Sequence, residues 1–123
     1  MARKNEIAEK SKLFALRIIR LYQHLREEKK ESVLSKQLLR SGTSIGANVR
    51  EALRAQSDAD FYAKLTIALK EADESAYWLE LLFESSFIDE NTFNRVYGDC
   101  EELIRLLVAI TRTLKRKIQS PQP

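Results

Sequence analysis

Residues 58–83 read DADFYAKLTIALKEADESAYWLELLF. Within them Phe61, Leu65, Ala68, Leu69, Ala72, Ala76, Leu79 and Phe83 recur mostly at steps of three and four residues. At about 100° per residue that spacing draws one long apolar stripe along a helix. Ser57 or Asp58 can cap its start, and Asp58 and Asp60 suit the positive end of its dipole. The expected helix covers 58–85 and gives way to a turn through Phe87-Ile88-Asp89.

The same rhythm continues on both sides. Asp89 is expected to cap a helix over 90–118, whose apolar face carries Phe93, Val96, Tyr97, Cys100, Leu103, Ile104, Leu107, Thr111, Leu114 and Ile118. Upstream, Leu34, Leu38, Ile45, Val49 and Ala52 predict a helix over 33–56, with Ser32 as its cap. Gly42 and Gly46 fall inside it, where each costs up to about 1 kcal/mol relative to Ala. Their presence predicts close approach by a neighbouring backbone or a local bend; the alternative is a break into two shorter helices. Ile7, Phe14, Ile18, Leu21 and Leu25 predict a first helix over 5–28. Short polar connections force neighbouring helices to run antiparallel. The expected fold is therefore all-α, a single domain over 1–123 built as an antiparallel up-down-up-down four-helix bundle.

Composition agrees with that reading. The chain is 44% hydrophobic and 32% charged, and it holds only 3 Gly and 2 Pro. Both prolines, Pro121 and Pro123, lie at the C-terminal end. No apolar run approaches the roughly 20 residues that span a bilayer. The N-terminal MARKNEIAEK lacks the apolar core of a secretory signal, and the lone Cys100 has no internal disulfide partner. The expected setting is the bacterial cytoplasm, with no membrane partner.

The net charge of +3 is unevenly spread. Residues 1–30 carry nine Lys/Arg against four acids, and residues 57–89 carry two against eight. Such segregation serves intrachain pairing, self-association between unlike surfaces, or a polyanionic partner.

Catalysis finds little support. His24 is the only histidine and has no Cys or His at ligand spacing, which argues against a metal. Glu71 and Glu74 lack the following histidine of a di-iron bundle. Cys100 falls on an apolar face, where packing outranks nucleophilic use. The glycines at 42 and 46 are followed by no Lys-Ser/Thr pair of a phosphate loop. The expectation is a protein that is not an enzyme, with no cofactor and no small-molecule substrate.

On a helical wheel Arg40, Ser41, Ser44, Asn48 and Glu51 cluster within about 100°, beside the apolar stripe. Small polar groups at a core margin need hydrogen-bond partners. Ser41, Ser44 and Asn48 are expected to tie this helix to another and fix its register, with Arg40 and Glu51 pairing to charges elsewhere. A ligand or nucleic-acid contact is the alternative. These residues also carry a resemblance. Arg40-Ser41, Ser44-Ile45, Asn48 and Glu51-Ala52 resemble the RS..SI..N..EA/EG core of the four-helix proteins encoded in intervening sequences of bacterial 23S ribosomal RNA genes. Phe61, Ile67-Ala68, Glu71-Ala72 and Glu74 fit the same family, and the accessory variability proteins of diversity-generating retroelements look like relatives. The resemblance implies a bundle assembled as a ring, a homopentamer, with an interaction with RNA or DNA through a basic surface.

Two surfaces fit such an assembly. Ile67, Glu71, Glu74, Trp78 and Leu81 form a second face on the third helix, expected at an intersubunit contact because Trp is a typical interface anchor. Leu13, Arg17, Arg20 and His24 on the first helix are the proposed complement. For nucleic acid, Arg3, Lys4, Lys10 and Lys12 crowd the start of the first helix. Arg105, Arg112 and Arg116 share an outward arc of the last, joined by Lys115 and Lys117. In an up-down topology these termini lie at one bundle end. The competing function is a structural or adaptor bundle with a protein partner.

Overall fold

The computed structural model describes residues 2–120. Four helices make up the chain: α1 (Ala2–Glu27), α2 (Leu34–Leu53), α3 (Asp58–Glu84) and α4 (Glu90–Gln119). All four stripes read from the sequence are helical, and α2 runs unbroken through Gly42 and Gly46. It is shorter at both ends than the expected 33–56.

The caps explain where the helices begin. The Ser57 side chain accepts from the Asp60 backbone N–H at 3.0 Å, and that of Asp89 from Thr92 N–H at 2.7 Å. The Thr92 amide holds the Asp89 carboxyl below the usual carboxylate range. Ser32 does not cap α2. The Glu31 carboxylate does so instead, accepting from the backbone N–H groups of Val33 (2.9 Å), Leu34 (2.8 Å) and Ser35 (2.8 Å). A serine hydroxyl serves one amide, whereas two carboxylate oxygens here serve three. Just before it Lys30 adopts φ 55°, in the left-handed region that closes α1, and Glu31 N–H bonds Leu25 O at 2.9 Å. Ser86, at φ 68°, ends α3 in the same way.

Contacts across each seam run in opposite directions along the two helices. Ser41 meets Ser75 while Glu51 meets Lys64; Lys10 meets Glu102 while Arg17 meets Asp99. Tyr97 reaches Glu80 and Lys117 reaches Asp58. Each helix therefore lies antiparallel to its neighbours. α1, α2, α3 and α4 pack in that order, and α4 closes back on α1.

Ile18, Leu25, Leu38, Ile45, Leu65, Leu79 and Leu107 are fully buried between the helices. Each such side chain contributes about 1.5–3 kcal/mol on leaving water. Leu82 takes the inner place expected of Phe83, which instead stacks half-buried on Phe93 at 4.4 Å between ring centroids. No helix among the described residues is long and apolar enough to cross a membrane.

Candidate nucleic-acid interface

The start of α1, the end of α2, the start of α3 and the end of α4 share one bundle end. Several of its charges are engaged within the chain. Lys10 Nζ bonds Glu6 and Glu102, and those bonds, Glu102 foremost, raise its pKa. Lys64 pairs with Glu51 at 3.0 Å and Lys117 with Asp58 at 3.2 Å. The Lys4 ammonium sits 4.7 Å over the Phe61 ring.

What remains is strongly one-sided. Arg3, Lys12, Arg112, Lys115 and Arg116 are exposed and have no ion-pair partner among the described residues. Arg50 and Arg54, near and just past the end of α2, join them, exposed and equally unpaired. Only Glu9 and Asp60 stay unpaired among the carboxylates of that end. The opposite end has no such excess, with Lys29, Lys30, Lys36 and Arg95 against Glu28, Glu31, Glu84, Asp89 and Glu90. Arg105 lies exposed further along α4, on the same outward arc as Arg112 and Arg116. Lys10 and Lys117, expected on this surface, are tied down by carboxylates, whereas Arg50 and Arg54 were not expected there. Their signal was the topology, which carries the end of α2 to the start of α1.

The polar motif of α2 divides between two tasks. The Ser41 and Ser75 hydroxyls meet at 2.8 Å inside the α2–α3 seam. Arg40 donates to Glu74 Oε2 at 2.8 Å and lies 3.8 Å from Glu71, and Glu51 holds Lys64. Ser44 and Asn48 do not reach another helix: Ser44 Oγ donates to Arg40 O at 2.7 Å and Asn48 Nδ2 to Ser44 O at 2.9 Å. Their register role is thereby corrected. Both side chains are short enough to fold back on carbonyls one turn earlier, which polar residues in helices commonly do.

The same seam absorbs much of the face expected to meet a second subunit. Trp78 is half-buried against the core and its indole N–H donates to Glu74 Oε2 at 3.0 Å. Glu71 is mostly buried, its Oε1 without a hydrogen-bond partner among the described residues. Leu81 is half-buried, while Ile67 remains 41% exposed. On α1, Arg17 is engaged by Asp99 at 2.7 Å, Arg20 and His24 are exposed, and Leu13 is 64% exposed.

Nucleophile chemistry is not prepared here. Burial pushes the Cys100 thiol up to about 12, and its Sγ lies 3.2 Å from Ala72 O. The Glu80 carboxylate, accepting from the Tyr97 hydroxyl at 2.7 Å, pushes that phenol to about 12. Among the described residues no three His, Cys, Asp or Glu side chains gather as metal ligands.

The family described as 23S rRNA-intervening sequence protein matches residues 3–109. A crystal structure of a protein of unknown function from the S23 ribosomal protein family of Bacteroides thetaiotaomicron is 52% identical, with a TM-score of 0.88. The match covers 89% of this chain and 98% of that one. No curated protein matches.

Proposed function

The chain belongs to the family of 23S rRNA-intervening sequence proteins, and we propose that it is a non-enzymatic, self-associating bundle whose basic end binds RNA or DNA. The observation that carries this reading is the charge left over after internal pairing. Seven cations (Arg3, Lys12, Arg50, Arg54, Arg112, Lys115 and Arg116) face two carboxylates, Glu9 and Asp60, at one end, while the other end has no excess of cations. A phosphodiester backbone is the ligand such a surface fits, because each phosphate neutralised releases condensed counterions. No aromatic side chain interleaves with these cations, so the contact is to backbone rather than stacked bases. Self-association, as a homopentamer by the family resemblance, repeats the surface around an axis and multiplies the phosphates one particle engages.

The test is fluorescence anisotropy with a labelled single-stranded RNA and a matched DNA. Arg112→Glu, Lys115→Glu and Arg116→Glu combined should weaken binding at least tenfold. Lys29→Glu and Lys30→Glu, at the opposite end, should leave it unchanged. Equal losses from both ends would show non-specific charge attraction. No binding by the unaltered protein at low salt would leave the adaptor reading in its place.

A further inference from the structure

At the end opposite the basic one, a cleft of about 400 Å³ opens between the end of α1 and the α3–α4 turn. Volumes of that order hold small ligands. Leu21 and Ile88, both buried, make its floor, and the half-buried rings of Phe83 and Phe87 stand beside them. A floor of this kind takes a flat apolar body.

Most polar groups of the lining are unengaged. Among the described residues Lys29 has no ion-pair partner, and the side chains of His24 and Ser86 make no hydrogen bond. Asp89, the one carboxylate of the lining, is drawn to Thr92 N–H at 2.7 Å as the cap of α4. The groups left to a ligand are therefore donors: an ammonium, a hydroxyl and an imidazole N–H. Ser86 is the most informative of them. It sits at φ 68° just past α3, where glycine is favoured because it has no Cβ to crowd the backbone. The turn itself is made by the backbone, with Ser86 N–H on Phe83 O at 3.0 Å. The helix end has no use for the hydroxymethyl group. A side chain held there against backbone preference, lining a cleft and bonded to nothing, is accounted for by a ligand.

We propose that this cleft binds a small aromatic carboxylate, with its ring on Leu21 and Ile88 beside Phe87 and its carboxylate on the Lys29 ammonium and the Ser86 hydroxyl. A carboxylate accepting from an ammonium makes the strongest contact that these groups offer. The ligand is held and not turned over. Ser86, His24 and Asp89 line one cleft, but no hydrogen bond joins them among the described residues, so no base activates the serine. The site lies away from the basic end and does not depend on the nucleic-acid reading.

Ligand-observed NMR titration with phenylacetate and phenethylamine tests it, because the two probes share a ring and carry opposite charges. Phenylacetate should bind saturably, with a Kd on the order of 1 mM for a ligand of about ten non-hydrogen atoms. It should bind about tenfold tighter than phenethylamine. Lys29→Ala should remove that preference, whereas Lys36→Ala, a cation of the same end outside the cleft, should leave it. Ser86→Gly should raise Tm by relaxing the left-handed turn, yet weaken phenylacetate binding roughly threefold. A merely structural Ser86 would give the gain in Tm without the loss of binding. Equal affinity for the two probes, tighter binding of the amine, or no saturable binding of either would overturn the site. So would Lys29→Ala and Ser86→Gly variants that both bind phenylacetate as the unaltered protein does.

Discussion

Glu31 does the work of a helix cap from an almost buried position, 7% exposed. Burial alone would raise its pKa, but the amides of Leu34, Ser35 and Val33 outweigh it and hold the carboxyl below its ordinary 4.5. A folded-state pKa below the unfolded one means that the ionised form stabilises the fold. That contribution is complete above about pH 4.5 and is lost as pH falls through the depressed folded value. Glu31→Gln should cost about 1–2 kcal/mol at neutral pH, the scale of a lost cap. It should also flatten the acid limb of thermal stability against pH. A Tm profile that keeps its acid slope in the variant would remove Glu31 as its source. Asn48 is the opposite case. Its amide bonds only its own helix, so Asn48→Ala should cost less than about 1 kcal/mol by denaturant titration. A larger loss would mean that it does bind a second helix.

At the scale of the element, α2 shows what its glycines are for. A Cβ on Gly42 would sit 3.0 and 3.1 Å from Cγ1 and Cγ2 of Ile18, which is fully buried and has no room to give. Gly42→Ala should destabilise by about 1–2 kcal/mol, as overpacking outweighs the gain in helix propensity. On α4, a Cβ on Gly98 meets nothing within 4 Å, so Gly98→Ala should stabilise by about 0.5–1 kcal/mol. Chemical denaturation of both variants checks the pair; equal shifts would mean that α1 does not press on α2 at Gly42. Helix number and position were legible because apolar periodicity is a local repeat. The glycine pair was legible only in part: the sequence allowed close approach, a bend or a break, and the packed helices show close approach at Gly42, against Ile18, and ordinary contact at Gly46, against Ser11. The cap of α2 was not legible. It depends on the left-handed turn at Lys30, which brings the Glu31 carboxylate to the amides of Val33, Leu34 and Ser35. The inward turn of Leu82 in place of Phe83 was equally hidden, because neighbouring residues compete for one core position and only the packed helices decide.

For the whole molecule, the charge pattern matters after pairing. The sequence shows a basic start and an acidic third helix, and from that alone Lys10 and Lys117 look as available as Arg112. The fold sets carboxylates against the first two and leaves the third open. Arg50 and Arg54 escaped notice for the converse reason: they belong to a segment read for its polar motif, and only the antiparallel return of α2 carries them to the basic end. Trp78 was read as an outward anchor; it is half-buried against the core with its indole N–H on Glu74 of its own helix, and the more open aromatic on that helix is Tyr77. The most direct measurement on the basic end is the salt dependence of its affinity for a single-stranded RNA. Each neutralised phosphate contributes a slope of about −0.7 in log affinity against log salt. Engagement of several phosphates predicts a slope of about −3 or steeper, reduced in the variant reversed at Arg112, Lys115 and Arg116. A flat dependence, or no binding at any salt, would contradict the claim that this end holds a nucleic acid.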